Sequence, residues 1–88
     1  MKSAERLLER MRQSSSGWGQ NDFKTLYLGF GFKARKGGKH ITYIHKKYPE
    51  LRHQVGRHDK LATGYATFAV KLIDRLKALE AEEHNDTR

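Results

Sequence analysis

The chain has 88 residues, one proline and no cysteine, which makes a single domain with a thin stability margin and excludes disulfide and thiolate-zinc staples. Its net charge is +8, and residues 33–60 alone hold nine lysines and arginines against Glu50 and Asp59, a net +7. Such a concentration favours a polyanionic partner, and four of the five histidines (His40, His45, His53 and His58) lie in the same stretch.

Residues 3–12 predict a short amphipathic helix, with Ala4, Leu7, Leu8 and Met11 at helical spacing between Glu5, Arg6, Glu9 and Arg10. So short a helix must dock on something to persist. Residues 13–20 are rich in Gly and Ser and read as a linker, with Trp18 as a packing anchor. The opening residues show no apolar core of a signal peptide, and no run approaches the roughly 20 apolar residues of a membrane span. The cytoplasm is the expected location.

A second helix is expected from Asn21, as N-cap, through the stripe Phe23, Leu26 and Tyr27 to Gly29, read as a left-handed stop. Residues 30–35 then alternate at period two, with Phe30, Phe32 and Ala34 on one side and Lys33 and Arg35 on the other. Lys36-Gly37-Gly38-Lys39 supplies a hairpin turn with glycines available for positive φ. Residues 40–45 form a β-branched and aromatic strand, and residues 51–56 a third strand after the turn at Pro49. From Gly64 to Glu82, Tyr65, Phe68, Ala69, Leu72, Ile73, Leu76 and Leu79 keep a helical stripe, with Thr63 placed to cap it.

These elements predict an α+β two-layer domain: a three-stranded antiparallel sheet packed on helices, in the order α-(α)-β-β-β-α. Helices cover the face bearing Phe30, Phe32, Ile41, Tyr43, Leu51 and Val55, and the open face carries Lys33, Arg35, His40, Thr42, Arg52 and Gln54. The single domain over 1–88 divides into a helix-and-linker extension (1–20), a core (21–82) and a frayed tail (83–88). The α-β-β-β-α order is also that of double-stranded-RNA-binding domains.

His40 follows Gly37-Gly38-Lys39 and shares outward parity with Thr42, which puts an imidazole beside Lys39 with Lys33 and Arg35 a strand away. Cleaving an RNA phosphodiester requires a base for the 2′-hydroxyl, an acid for the leaving oxygen and cations for the phosphorane. Imidazole, with an ordinary pKa of about 6.5, serves as acid or base at neutral pH, and a lysine stabilises developing phosphate charge. The competing reading of His40 is a simple phosphate or solvent contact. His45, of opposite parity, reads as structural or surface, His53 as a partly buried, hydrogen-bonded histidine, and His58 as a second acid/base, a phosphate ligand or an ordinary loop residue. The histidine spacings match no common zinc pattern, so neither a metal nor another cofactor is expected. Gly37-Gly38-Lys39 lacks the upstream glycine and following Ser/Thr of a P-loop.

Residues 26–33 (Leu-Tyr-Leu-Gly-Phe-Gly-Phe-Lys), 36–45 (Lys-Gly-Gly-Lys-His-Ile-Thr-Tyr-Ile-His) and 55–58 (Val-Gly-Arg-His) together resemble the HicA family of toxins, over roughly Asp22 to Leu79. The resemblance implies a double-stranded-RNA-binding-like fold and a metal-independent mRNA interferase that blocks translation. It implies that His40 is the catalytic residue and that a HicB-type antitoxin protein covers it. Two positions depart from the family pattern: Lys39 stands where serine is usual in the Gly-Ser-His turn, and Gly56 where proline is common. On this reading Lys39 and His40 carry catalysis, and Lys33, Arg35, Lys36, Arg52, Arg57 and His58 bind RNA. Two rivals remain open on the residues alone: a non-catalytic double-stranded-RNA-binding module, and a protein that lays basic strands in the DNA major groove.

Overall fold

Along the chain run α1 (Lys2–Gln13), α2 (Gln20–Gly29), β1 (Phe32–Lys36), β2 (His40–His45), β3 (Arg52–Gly56) and α3 (Thr63–Asp86). The computed structural model describes residues 2–86, so the end of the expected tail, Thr87 and Arg88, lies outside the described residues. The strands form an antiparallel sheet in the order β1-β2-β3, and the α+β class and element order are as the sequence predicts. Among the described residues no helix is long and apolar enough to cross a membrane.

Register sorts the two faces. Ala34 pairs with Tyr43, Arg35 with Thr42, Tyr43 with His53, and His40 with Gly56. Cross-strand partners share a face, so Phe32, Ile41, Tyr43 and Val55 point together at the helices, where they are buried. Tyr27 of α2 joins the layers: its ring stacks on Tyr43 at 5.0 Å and tilts against Phe32 at 4.7 Å. The Tyr43 hydroxyl is buried with no hydrogen-bond partner among the described residues, a cost of about 1–3 kcal/mol set against the burial of its ring.

Several local expectations are corrected. The cap of α2 is Gly19, not Asn21: the Gly19 carbonyl accepts from Asp22 N at 3.0 Å, and Gly19 N donates to Asp22 Oδ2 at 2.9 Å. Glycine is required there because a Cβ would overlap the Asp59 carbonyl. Its neighbours pair with the same loop, Gln20 N donating to His58 O and Leu61 N to Trp18 O, both at 2.8 Å. The left-handed residue after α2 is Gly31 (φ 92°), not Gly29. Gly29 instead lets α1 approach, since a Cβ there would overlap that of Ala4. Phe30 and Gly31 wind on, bonding the carbonyls of Tyr27 and Leu28, so β1 starts at Phe32 and not at Phe30. The hairpin closes through Gly37 N to His40 O at 2.8 Å, with neither Gly37 nor Gly38 at positive φ.

Helix α3 already includes Thr63, so that residue is not its cap, and it continues beyond Glu82. Its buried line is Ala66, Ala69, Ile73 and Leu76, while Phe68 of the expected stripe is exposed. Glu83, placed by the sequence in the tail, accepts from Lys47 Nζ at 2.6 Å and Tyr48 Oη at 3.0 Å, which fastens the β2–β3 loop to α3. Trp18 is the anchor expected: it packs on the core, its indole N–H reaches Ser14 O at 2.7 Å, and Arg10 lies 5.3 Å from its ring.

Candidate nucleic-acid interface

The sheet face away from the helices carries Lys33 and Arg35 from β1, His40 and Thr42 from β2, and Arg52 and Gln54 from β3. Lys33, Arg35 and His40 are exposed. Arg52 is exposed too, but its Nε and Nη2 donate to Pro49 O at 3.0 and 2.8 Å, which turns its guanidinium toward the β2–β3 loop. Lys36 pairs with Ile41 and so has the parity of the core face, yet it is exposed, as is Ala34 on the same side of β1.

At one corner the hairpin brings several groups together. His40 opens β2 opposite Gly56, and Lys39 precedes it in the turn. A side chain at Gly56 would meet the His58 ring, whose Cδ2 lies 3.3 Å from the first side-chain carbon. The absence of a side chain at buried Gly56 thus admits the His58 ring, together with Leu61 and the Tyr65 hydroxyl, beside the register partner of His40. Arg57 Nη1 donates to Gly37 O at 2.9 Å and ties the end of β3 to the turn. Of the cations assigned to RNA by the sequence, Arg52 and Arg57 are engaged in structural hydrogen bonds, whereas Lys33, Arg35 and Lys36, like the catalytic candidate Lys39, form no side-chain hydrogen bond among the described residues.

The other two histidines are structural. Nδ1 of His45 accepts from Lys47 N at 3.0 Å and Tyr48 N at 3.1 Å, which requires the tautomer protonated at Nε2. Its ring meets Phe32 edge-on at 5.0 Å. His53 Nδ1 shares a 2.7 Å hydrogen bond with Tyr27 Oη, and its ring lies 4.3 Å from Phe68 and 5.7 Å from Tyr65.

Burial lowers the His53 pKa to about 4, whereas an unfolded chain protonates histidine at about 6.5. The unfolded state therefore takes up the proton first as pH falls. Stability from the neutral ring is complete above about pH 6.5 and declines toward pH 4, by on the order of 3 kcal/mol. Urea midpoints at pH 7 and 4.5 should show this fall in the wild type and much less of it in His53→Gln, which keeps a partner for Tyr27. An equal fall in both would assign the loss elsewhere. Asp74 and Glu83, whose pKa values Arg12 and Lys47 lower, also lose stability as pH falls through the unfolded carboxylate range of about 4. That loss is common to the wild type and His53→Gln and cancels in the comparison.

Sequence reasoning missed one feature of the open face. Ile44 has the parity of His40 and Thr42, yet it is buried, at the floor of a cleft of about 340 Å³. Lys33, Arg35, Lys46 and Pro49 also line it. The available signal was an apolar residue at an outward position between register partners Lys33 and Arg52. Among the described residues no three His, Asp or Glu side chains gather to hold a metal ion. Compared with protein-family models, with curated proteins and with solved structures, the chain matches none.

Proposed function

We propose that this chain is a HicA-type toxin: a cytoplasmic, metal-independent endoribonuclease that cleaves mRNA and is neutralised by a HicB-type antitoxin. The observation that supports it most is that His40 and Lys39 stand exposed at the hairpin end of a basic sheet face, with the His58 ring beside Gly56, the register partner of His40. On this reading His40 and His58 supply the two halves of the chemistry. One takes the 2′-hydroxyl proton, the freed oxygen attacks phosphorus, and the other protonates the departing 5′-oxygen. Lys39 stabilises the charge that builds on the non-bridging oxygens. Lys33 and Arg35 hold the flanking backbone, and Arg57 keeps the turn in place from its bond to the Gly37 carbonyl. An antitoxin that covers a +7 segment presents carboxylates to it.

Attack by the 2′-hydroxyl leaves a 2′,3′-cyclic phosphate and a 5′-hydroxyl. In EDTA, unmodified RNA should yield those ends, and RNA methylated at every 2′-oxygen should stay whole. Cleavage of the methylated strand, or 5′-phosphate ends, would rule the mechanism out.

A second reading, a non-catalytic module for double-stranded RNA, draws on the absence of any side-chain hydrogen bond to orient His40 among the described residues. The same cations would then grip phosphates and 2′-hydroxyls, with an affinity that falls steeply with salt.

A further inference from the structure

The chemistry at His40 gives no part to Ile44, Lys46 and Pro49, which with Lys33 and Arg35 line a cleft. Ile44 lies four residues along β2 from His40, about 13 Å at the rise of a strand. Lys33, Arg35 and Lys46 bring three cations to the rim, Ile44 and Pro49 make an apolar floor, and no carboxylate lines the cleft. The walls are held in advance. Lys46 N donates to Gly31 O at 3.2 Å, His45 accepts two amides of the loop, Arg52 grips the Pro49 carbonyl, and Glu83 holds Lys47 and Tyr48. A rim of cations alone would suit any anion. An apolar floor beside a planar guanidinium suits a flat aromatic ring attached to a phosphate.

We propose that this cleft binds one nucleotide of single-stranded RNA, its base over Ile44 and Pro49 against the Arg35 guanidinium and its phosphate between Lys33 and Lys46. A base paired inside a duplex is stacked and cannot reach a recessed floor, so the cleft selects unpaired substrate. Its distance from His40 makes it a subsite beside the scissile bond, one that sets where along the strand cutting occurs. The choice of RNA as ligand rests on the ribonuclease reading, whereas the base-binding cleft itself does not.

The test uses His40→Ala protein, labelled with ¹⁵N, so that nothing is cut. A six-nucleotide single-stranded RNA should shift the amides of Ile44, His45 and Lys46. Lys46→Ala should weaken binding about fivefold, and an abasic strand of equal length at least tenfold. Duplex RNA of the same sequence should leave Ile44 unshifted. Equal binding of the abasic strand would overturn the proposal, because the floor would then hold no base. Shifts confined to Lys39 and the substituted position 40 would also overturn it, as would hexaglutamate moving the same three amides as strongly as RNA. These outcomes separate from the fate of the ribonuclease: a wild type that binds at Ile44 but never cuts removes the nuclease and keeps the cleft, and cutting without Ile44 shifts does the reverse.

Discussion

Replacing His40 by alanine should lower metal-free RNA cleavage by on the order of 10²–10⁴ while leaving the urea midpoint unchanged. The size follows from what a positioned acid or base contributes, and the unchanged stability from the exposure of His40 at the strand end. RNA affinity should fall only slightly, since Lys33, Arg35 and Lys39 remain to hold phosphates. His58→Ala tests whether the second imidazole belongs to the same unit. If the two rings work as acid and base in one step, the double variant should be little worse than His40→Ala alone, because parts of one machine do not contribute additively. Losses that multiply would mean that His58 only binds. Full cleavage by His40→Ala would sink the catalytic assignment. No cleavage by either chain, with RNA binding intact, would favour the non-catalytic module and make Lys39, where the toxins it resembles usually have serine, the departure that matters.

The faces of the sheet were legible because strand periodicity is local: once Thr42 points out, His40 must as well, and Tyr43 and Ile41 must point in. The register bears this out across both pairs of strands. What escaped the sequence depends on segments far apart in the chain. Nothing near Gly19 announces that the Asp59 carbonyl lies against it, and nothing near Gly29 announces Ala4, so in the sequence the close approach at Gly29 looks the same as a helix stop. Phe68 fits the apolar stripe of α3, but that stripe is wider than the surface it meets, so the ring ends half outside, beside His53. At the site, the candidates His40 and Lys39 could be found from the hairpin, and the seating of His58 could not. It depends on a glycine in β3 being the register partner of His40. Arg57 illustrates the converse: its charge was visible, and its engagement with the Gly37 carbonyl was not.

Helix α1 is the sharpest case, because the sequence makes it an extension and the structure makes it part of the core. Leu8 is wholly buried, and Ala4, Leu7 and Met11 are buried beside it against α2 and α3. Arg12 reaches across to Asp74 of α3 with two parallel bonds of 2.9 and 3.0 Å, and Lys77 meets Glu5 at 3.1 Å. The ion pairs are exposed and contribute little, about 0.2–1 kcal/mol each. The apolar side chains decide the matter: burying Leu7, Leu8 and Met11 stabilises by roughly 1.5–3 kcal/mol apiece. Their sum rivals the whole stability of a domain this size, roughly 4–13 kcal/mol. Leu8→Ala should therefore cost about 2–5 kcal/mol, read as a lower urea midpoint with unchanged slope. A chain that starts at Ser14 should be largely unfolded at 25 °C by circular dichroism, because its loss also bares the faces of α2 and α3 that α1 covers. Should the shortened chain unfold at the wild-type midpoint, α1 would be an appendage after all. If it unfolds as expected, RNA binding and cleavage should disappear with the fold, although every residue of the basic face is still present.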